Sequence, residues 1–200
     1  MPTTLISTIH KGDAVEIAVY KFSPDKLILL DSKTADPTKK AGIERIKSKF
    51  KRIDVAVEKI EIYNIPEIVA RVCQLIDDEA KLGNEIIIHI SESRKTQSIA
   101  SMFAGFIKKD KIKGIYYIEE ETADLVPMPL LDFKLNNTKT AILKAIKAGS
   151  KTPRQILKKV SKSTAMVYAH IKDLKKDGYI KEGEELALTP SGEICALQPQ

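Results

Sequence analysis

The segment Ile86–Ile107, IIIHISESRKTQSIASMFAGFI, sets the character of the chain. Ile86–Ile90 is apolar apart from His89, the pattern of a short strand buried on both faces, and Thr96–Ile107 reads as a helix. His89 is expected to pack inside the strand with its imidazole satisfied by a neighbour. Between strand and helix lies the polar loop Ser91-Glu92-Ser93-Arg94-Lys95. Strand, polar loop and helix in this order form the repeating unit of a parallel α/β sheet.

The same alternation runs back to the N-terminus. Thr4–Ile9 reads as a strand, His10-Lys11-Gly12-Asp13 as a turn ending in the N-cap Asp13, and Ala14–Phe22 as a helix stopped by Ser23-Pro24. Leu27–Leu30 is a buried strand and Pro37–Phe50 a Lys-rich amphipathic helix with Ile43, Ile46 and Phe50 on one face. Ile53–Ile62 alternates with a period of two, as a strand toward a sheet edge does. Pro66–Leu82 is a helix closed by Gly83-Asn84. Beyond Ile107, Gly114–Ile118 is a strand, and Leu125–Leu131 a last one broken by Pro127 and Pro129. Residues 1–133 therefore read as a Rossmann-like, mostly parallel sheet with helices on both faces.

Residues 134–200 read differently. Lys134–Asn137 is a linker, Thr138–Lys147 a first helix, and Thr152-Pro153 the N-cap and first turn of a second helix carrying Ile156, Leu157 and Val160. A third helix begins at Ser163, carries Val167, Ile171 and Leu174 at core spacing, and stops at Gly178. A hairpin through Tyr179–Lys181, Gly183 and Leu186–Thr189 closes a winged helix-turn-helix.

Composition bounds the function. The 200 residues are 43% hydrophobic and 30% charged, enough to build packed cores. No apolar run approaches the ~20 residues that span a bilayer, and the N-terminus lacks the basic and apolar regions of an export signal. A soluble, cytoplasmic protein is expected, with no membrane partner. Cys73 and Cys195 are the sole cysteines, which excludes a disulfide scaffold or a multi-cysteine metal site. His10, His89 and His170 sit on separate elements without ligand spacing, and no cofactor is called for. The runs Asp77-Asp78-Glu79 and Glu119-Glu120-Glu121 read as solvated faces.

The net charge of +6 is concentrated: residues 137–200 hold 12 Lys+Arg against 6 Asp+Glu, which leaves residues 1–136 neutral. Such asymmetry points to a polyanion partner for the C-terminal part, double-stranded nucleic acid ahead of an anionic membrane. A solubilising lysine-rich face, or a winged helix used for protein contacts, would carry the same charge. On the third helix Ser163, Thr164, Ala165, Met166, Tyr168 and Ala169 lie outside the core stripe, where small and hydroxyl-bearing groups approach base edges. Lys151, Arg154, Lys158, Lys162 and Lys172 are candidates for phosphate contacts, and Lys181 for the wing.

The neutral part carries a second candidate site. In doubly wound sheets ligands bind beyond the carboxyl ends of strands. Thr8, Ile9, His10, Lys11 and Gly12 follow the first strand. Ser91, Glu92, Ser93, Arg94, Lys95 and Thr96 precede a helix whose free amides favour an anion. Arg94 and Lys95 also read as a solvated loop or an ion pair with Glu92. No G-x-G-x-x-G follows the first strand and no P-loop is present, against a dinucleotide oxidoreductase or an NTPase.

The segments HISESRKTQSIASMFAGF (His89–Phe106) and LKKDGYIKEGEELALTPSGE (Leu174–Glu193) together resemble the archaeal CRISPR-associated (Csa-type) CARF–winged-helix transcriptional regulators, over nearly the whole chain. The resemblance implies a CARF domain that dimerises and binds a cyclic oligoadenylate across the two-fold axis, with Thr8, Ile9, His10 and Ser91–Thr96 lining a shared pocket. Where such loops often contain glycine, Ser93 stands here. Some CARF proteins also cleave the ring slowly, a reaction in which Lys95 and Thr8 would support attack by a ribose 2′-hydroxyl. The expectation is a homodimeric, ligand-responsive DNA-binding regulator without catalytic residues. A ring nuclease and a constitutive dimeric DNA-binding protein are the alternatives.

Overall fold

Strand and helix alternate from the first residues: β1 (Thr3–Thr8), α1 (Asp13–Phe22), β2 (Lys26–Ser32), α2 (Pro37–Lys49), β3 (Asp54–Ile60), α3 (Ile65–Lys81), β4 (Glu85–His89), α4 (Lys95–Ile107), β5 (Gly114–Ile118) and β6 (Leu125–Met128). The structure is a computed structural model and describes residues 1–131 and 135–198. The chain divides into two compact units, the first ending at Leu131.

Among the described residues of the first unit the strands lie in the order β3-β2-β1-β4-β5-β6. All neighbours are parallel except the β5–β6 pair, in which Pro127 sits opposite Tyr116 on an edge strand that tolerates a missing N–H. The Rossmann-like, mostly parallel architecture is thus present, with β3 on the opposite edge. The chain builds outward from β1 to β3, then returns to the other side of β1 at β4. This reversal parts the loops after β1 and β4 and opens a crevice at the carboxyl end of the sheet.

Apolar content fixes the layers. Leu5, Ile9, Leu27, Leu29 and Ile87 pack with Val15, Ala18 and Val19 of α1 and with Ile43 and Ile46 of α2. On the other face α3 buries Ile68, Val69, Val72 and Ile76, and α4 buries Ala100, Ala104 and Phe106. Gly105 lets α4 sit tightly on the sheet, since a Cβ there would stand 2.5 Å from Ile115 Cδ1.

Two local expectations change. The N-cap of α1 is Gly12, at φ 95°, and Asp13 is the first helical residue. In place of a capping side chain, Glu92 from the loop after β4 accepts the N–H groups of Gly12 and Ala14. Glu79 is not solvated: it is 4% exposed, and its carboxylate accepts from Thr4 Oγ1 at 2.8 Å, Lys26 Nζ at 2.6 Å and Asn84 Nδ2 at 2.8 Å. Burial alone would raise its pKa, but those three bonds hold it below the ordinary carboxylate value. Its neighbour Asp77 pairs with Lys108 and Lys111, both at 2.6 Å.

The second unit contains α5 (Asn137–Lys147), α6 (Pro153–Leu157), α7 (Thr164–Lys176) and α8 (Pro190–Cys195). Asn136 caps α5, so the expected linker is shorter at its carboxyl end; its first residue, Lys134, and the expected domain boundary at 133/134 lie outside the described residues. Thr152 and Gln155 form a reciprocal capping box on α6, which ends at Leu157, short of Val160. Ile142, Leu143, Ile146, Ile156, Val160, Val167, Ile171 and Leu174 make its core with Ile180, Leu186 and Leu188. The expected hairpin is reduced to one antiparallel bridge, Ile180 to Leu188. The last helix was unexpected, although Thr189 and Pro190 repeat the cap-and-proline signal of Thr152-Pro153.

Candidate functional site

At the carboxyl end of the sheet the turn after β1 is held on two sides. From the β4 loop, Glu92 accepts the N–H of Gly12 at 2.5 Å, of Ala14 at 2.6 Å and of His10 at 3.1 Å. From α2, Arg45 donates to Lys11 O at 3.0 Å and to Asp13 Oδ1 at 2.6 Å. Glu92 therefore fills the anion position at the amino end of α1 with the protein's own carboxylate. It is not the ion-pair partner of Arg94 or Lys95. Both of these cations are exposed, and among the described residues neither has a carboxylate partner.

The four helix N-termini along this edge differ, and Asn64 caps α3 by accepting the Glu67 N–H at 3.3 Å. Asp36 caps α2, accepting the Lys39 N–H at 3.1 Å, and Glu92 serves α1. No side chain caps α4, whose N-cap residue is Arg94. Its first turn is tied down elsewhere, Thr96 Oγ1 donating to Ile62 O at 2.6 Å and Gln97 Nε2 to Glu61 O at 3.1 Å. Beside this uncapped end lies a cavity of about 480 Å³ lined by His10, Ser32, Asp36, Lys39, Ser93, Arg94 and Lys95, among others. The Lys39 amide bond, together with the nearby His10, holds the Asp36 carboxyl below the usual range. A second cavity of about 450 Å³ is lined by Lys11, Ser91 and Glu92 with the acidic Asp13, Glu119 and Glu120. The two share His10 and Ser93 but differ in sign of charge, and the first is the one suited to an anion.

Sequence reasoning thus brought His10, Lys11, Ser91, Glu92, Ser93, Arg94 and Lys95 to these cavities. Thr8 and Ile9 are fully buried and line neither; Gly12 gives its N–H to Glu92, and Thr96 its hydroxyl to Ile62. Missed were Ser32, which ends β2, and Asp36 and Lys39, which follow it. The available signal was topological: the strand beside β1 ends at the same edge of the sheet. Ser91 is held from beneath, its Oγ accepting the Ile118 N–H at 2.6 Å and lying 2.8 Å from His89 Nε2.

In the second unit α7 buries Val167, Ile171 and Leu174 and leaves Thr164, Ala165, Met166, Tyr168, Ala169 and Lys172 exposed, Tyr168 at 53%. Ser163 caps it by accepting the Met166 N–H at 3.4 Å. Arg154, Lys158, Lys162 and Lys181 are exposed, and among the described residues none of them or Lys172 has a carboxylate partner. Lys151 instead pairs with Glu185 at 3.0 Å. Among the described residues no group of three or more His, Cys, Asp or Glu stands together to hold a metal, and no helix is long and apolar enough to cross a membrane.

Fold and surfaces define a two-part protein: a doubly wound α/β domain with a crevice at its switch point, followed by a winged helix-turn-helix. Residues 6–123 match the HFX_2341_N family of N-terminal domains, more than half of the sequence, and the chain belongs to that family. Residues 135–181 match the winged helix-turn-helix DNA-binding family. No curated protein matches the chain. Among solved structures it is similar to Csm6 of Enterococcus italicus, bound to cyclic hexa-2′-fluoro-hexa-dAMP, with a TM-score of 0.52 and 13% identity over 88% of this chain and 55% of that one. It is similar to VC1899 of Vibrio cholerae (TM-score 0.51, 9% identity, 98% and 64% covered). A third is a type III CRISPR defence DNA nuclease activated by cyclic oligoadenylate (TM-score 0.50, 11% identity, 88% and 30% covered). At such identities the likeness is one of fold, and the chain spans less than two thirds of each of these structures. The architecture implied by the resemblance, a Rossmann-like sheet domain followed by a winged helix, is present.

Proposed function

We propose that the chain is a homodimeric transcriptional regulator that binds double-stranded DNA through its winged helix and senses a cyclic oligoadenylate in its α/β domain. The observation that carries the sensing half is the uncapped amino end of α4 beside a cavity that also presents Arg94, Lys95 and Lys39. A phosphodiester placed there would meet backbone N–H groups, the helix dipole and three cations. Csm6 of similar fold binds a cyclic adenylate analogue, which favours this ligand class over other anions. The DNA-binding half rests on the exposed face of α7 and on the excess of 12 basic over 6 acidic residues in 137–200. A two-fold partner follows from the target, because paired half-sites need paired recognition helices. Assignment to the cytoplasm and to the control of CRISPR-associated genes belongs to the same proposal.

Cleavage of the ring is less well supported. The Thr8 hydroxyl, one of the two groups expected to assist it, is fully buried and lines neither cavity.

The test is a titration of the purified chain with cyclic tetra- and hexa-adenylate, followed by binding of its upstream DNA with and without the ring. Saturable binding at one ring per two chains is expected, with a DNA affinity altered by the ring. A DNA affinity indifferent to saturating ring, or no binding of either ring, overturns the sensing half. The appearance of linear product would replace the sensor with the nuclease.

A further inference from the structure

Lys39 is the one lysine on α2 whose side chain is buried, at 3% exposed, and it lines the same cavity as Arg94 and Lys95. Its Nζ lies 3.4 Å from Gln97 Oε1, a neutral acceptor at the limit of a hydrogen bond. Gln97 is itself fully buried, and its Nε2 donates to Glu61 O at 3.1 Å, which orients the amide so that Oε1 faces Lys39.

Among the described residues no carboxylate forms an ion pair with this ammonium. Asp31, on β2, is committed to Lys59 of β3. Asp36, on its own helix, accepts the Lys39 backbone N–H and stands 3.8 Å from His10 Nδ1. Arg94, the N-cap of α4, adds a charge of the same sign. Burial accordingly pushes the Lys39 pKa below its ordinary value; Asp31 and Asp36 pull it up, and Arg94 and Lys59 push it down again. A buried ammonium without an ionic partner costs stability, and an aliphatic side chain of similar size at such a place is often neutral or stabilising. The position therefore makes poor sense as a structural device and good sense as half of an ion pair that a ligand completes.

We propose that Lys39 is the charge-reading residue of the crevice: a phosphate of the bound ligand supplies its missing counter-ion, and it selects phosphorylated ligands over neutral ones of the same shape. This rests on the crevice being the anion site. Ligand binding then takes up protons. Lys39 has a depressed pKa in the free protein and a raised one beside a phosphate, so affinity falls as pH rises through the interval between the two.

The full chain and its Lys39→Met and Lys39→Arg variants are compared by calorimetry with cyclic tetra-adenylate and with inorganic tripolyphosphate, at about pH 7 and about pH 9.5. Thermal unfolding of each is measured in parallel. Lys39→Met should bind whichever probe the wild type binds about tenfold or more weakly, with an unchanged or higher midpoint of unfolding. Lys39→Arg, whose charge persists at both pH values, should bind with a flatter pH dependence than the wild type. A structural lysine would give the reverse, with lower stability and intact affinity. Should Lys39→Met fail to fold, the wild type decides: equal affinity at both pH values overturns the proposal. Tight tetra-adenylate binding by Lys39→Met overturns this inference alone. Lys39-dependent binding of tripolyphosphate without binding of the ring keeps it and overturns the ring reading, and binding of neither probe by the wild type overturns both.

Discussion

His89 sits between two serine hydroxyls, with Nδ1 2.8 Å from Ser7 Oγ and Nε2 2.8 Å from Ser91 Oγ. Ser7 spends its proton on Thr8 O, so its Oγ must accept from Nδ1–H; Ser91, which accepts the Ile118 N–H, then donates to Nε2. The network assigns a neutral Nδ1–H imidazole, and burial pushes its pKa down from 6.5 to about 3. The unfolded chain binds this proton below pH 6.5 and the folded chain does not, so His89 stabilises the fold above 6.5 and that contribution drains away toward pH 3. Stability should fall by roughly 1 kcal/mol per pH unit below that point through this residue, and His89→Gln should give a shallower dependence in urea unfolding between about pH 6.5 and about pH 4.5. An unchanged slope would reject the assignment. That His89 would pack was legible from its place in an apolar strand. That it would hold Ser91 under the crevice was not, because Ser7 comes from another strand, set opposite it by the β1–β4 register.

The turn after β1 owes its shape to α2 and the loop after β4 rather than to its own four residues. Gly42 of α2 lies against it so closely that a Cβ would stand 2.6 Å from Lys11 O and 2.9 Å from His10 O. In an isolated helix Gly→Ala is stabilising by about 1 kcal/mol, whereas here the added methyl meets backbone that Glu92 and Arg45 hold in place. Gly42→Ala should destabilise the chain by about 1–3 kcal/mol in urea unfolding and displace His10 from the cavity. A gain in stability would mean that the turn yields freely. Periodicity exposed α2 as an element, and its apolar face as Ile43 and Ile46, but says nothing about a glycine chosen for contact with a distant turn. The missed α8 is different: Thr189-Pro190 carried the start signal, and the expectation of a longer hairpin masked it.

Across the chain the charge is divided as the fold is. The exposed, carboxylate-free Arg154, Lys158, Lys162, Lys172 and Lys181 call for a phosphate backbone, so DNA affinity should fall linearly with the logarithm of salt concentration. In filter-binding or anisotropy titrations Lys158→Ala should reduce that slope by about 1 without changing sequence preference. Tyr168→Ala, on the outward face of α7, should change which sequences are preferred. An affinity independent of salt would reject the phosphate contacts.

What could be read without coordinates was whatever is local or periodic. The apolar runs Leu27–Leu30 and Ile86–Ile88, the core stripe Val167, Ile171 and Leu174, the caps at Thr152 and Ser163, and the neutral and basic halves each announce themselves within a few turns of chain. The contacts that shape the crevice have no such signature. Glu92 meets Gly12 80 positions away and Lys39 meets Gln97 58 positions away; at the other end of the sheet Glu79 meets Thr4 75 positions away. Each is a polar residue whose partner is chosen by the order of strands in the sheet. A carboxylate or an ammonium looks the same in sequence whether water or the protein interior surrounds it, and only packing decides which.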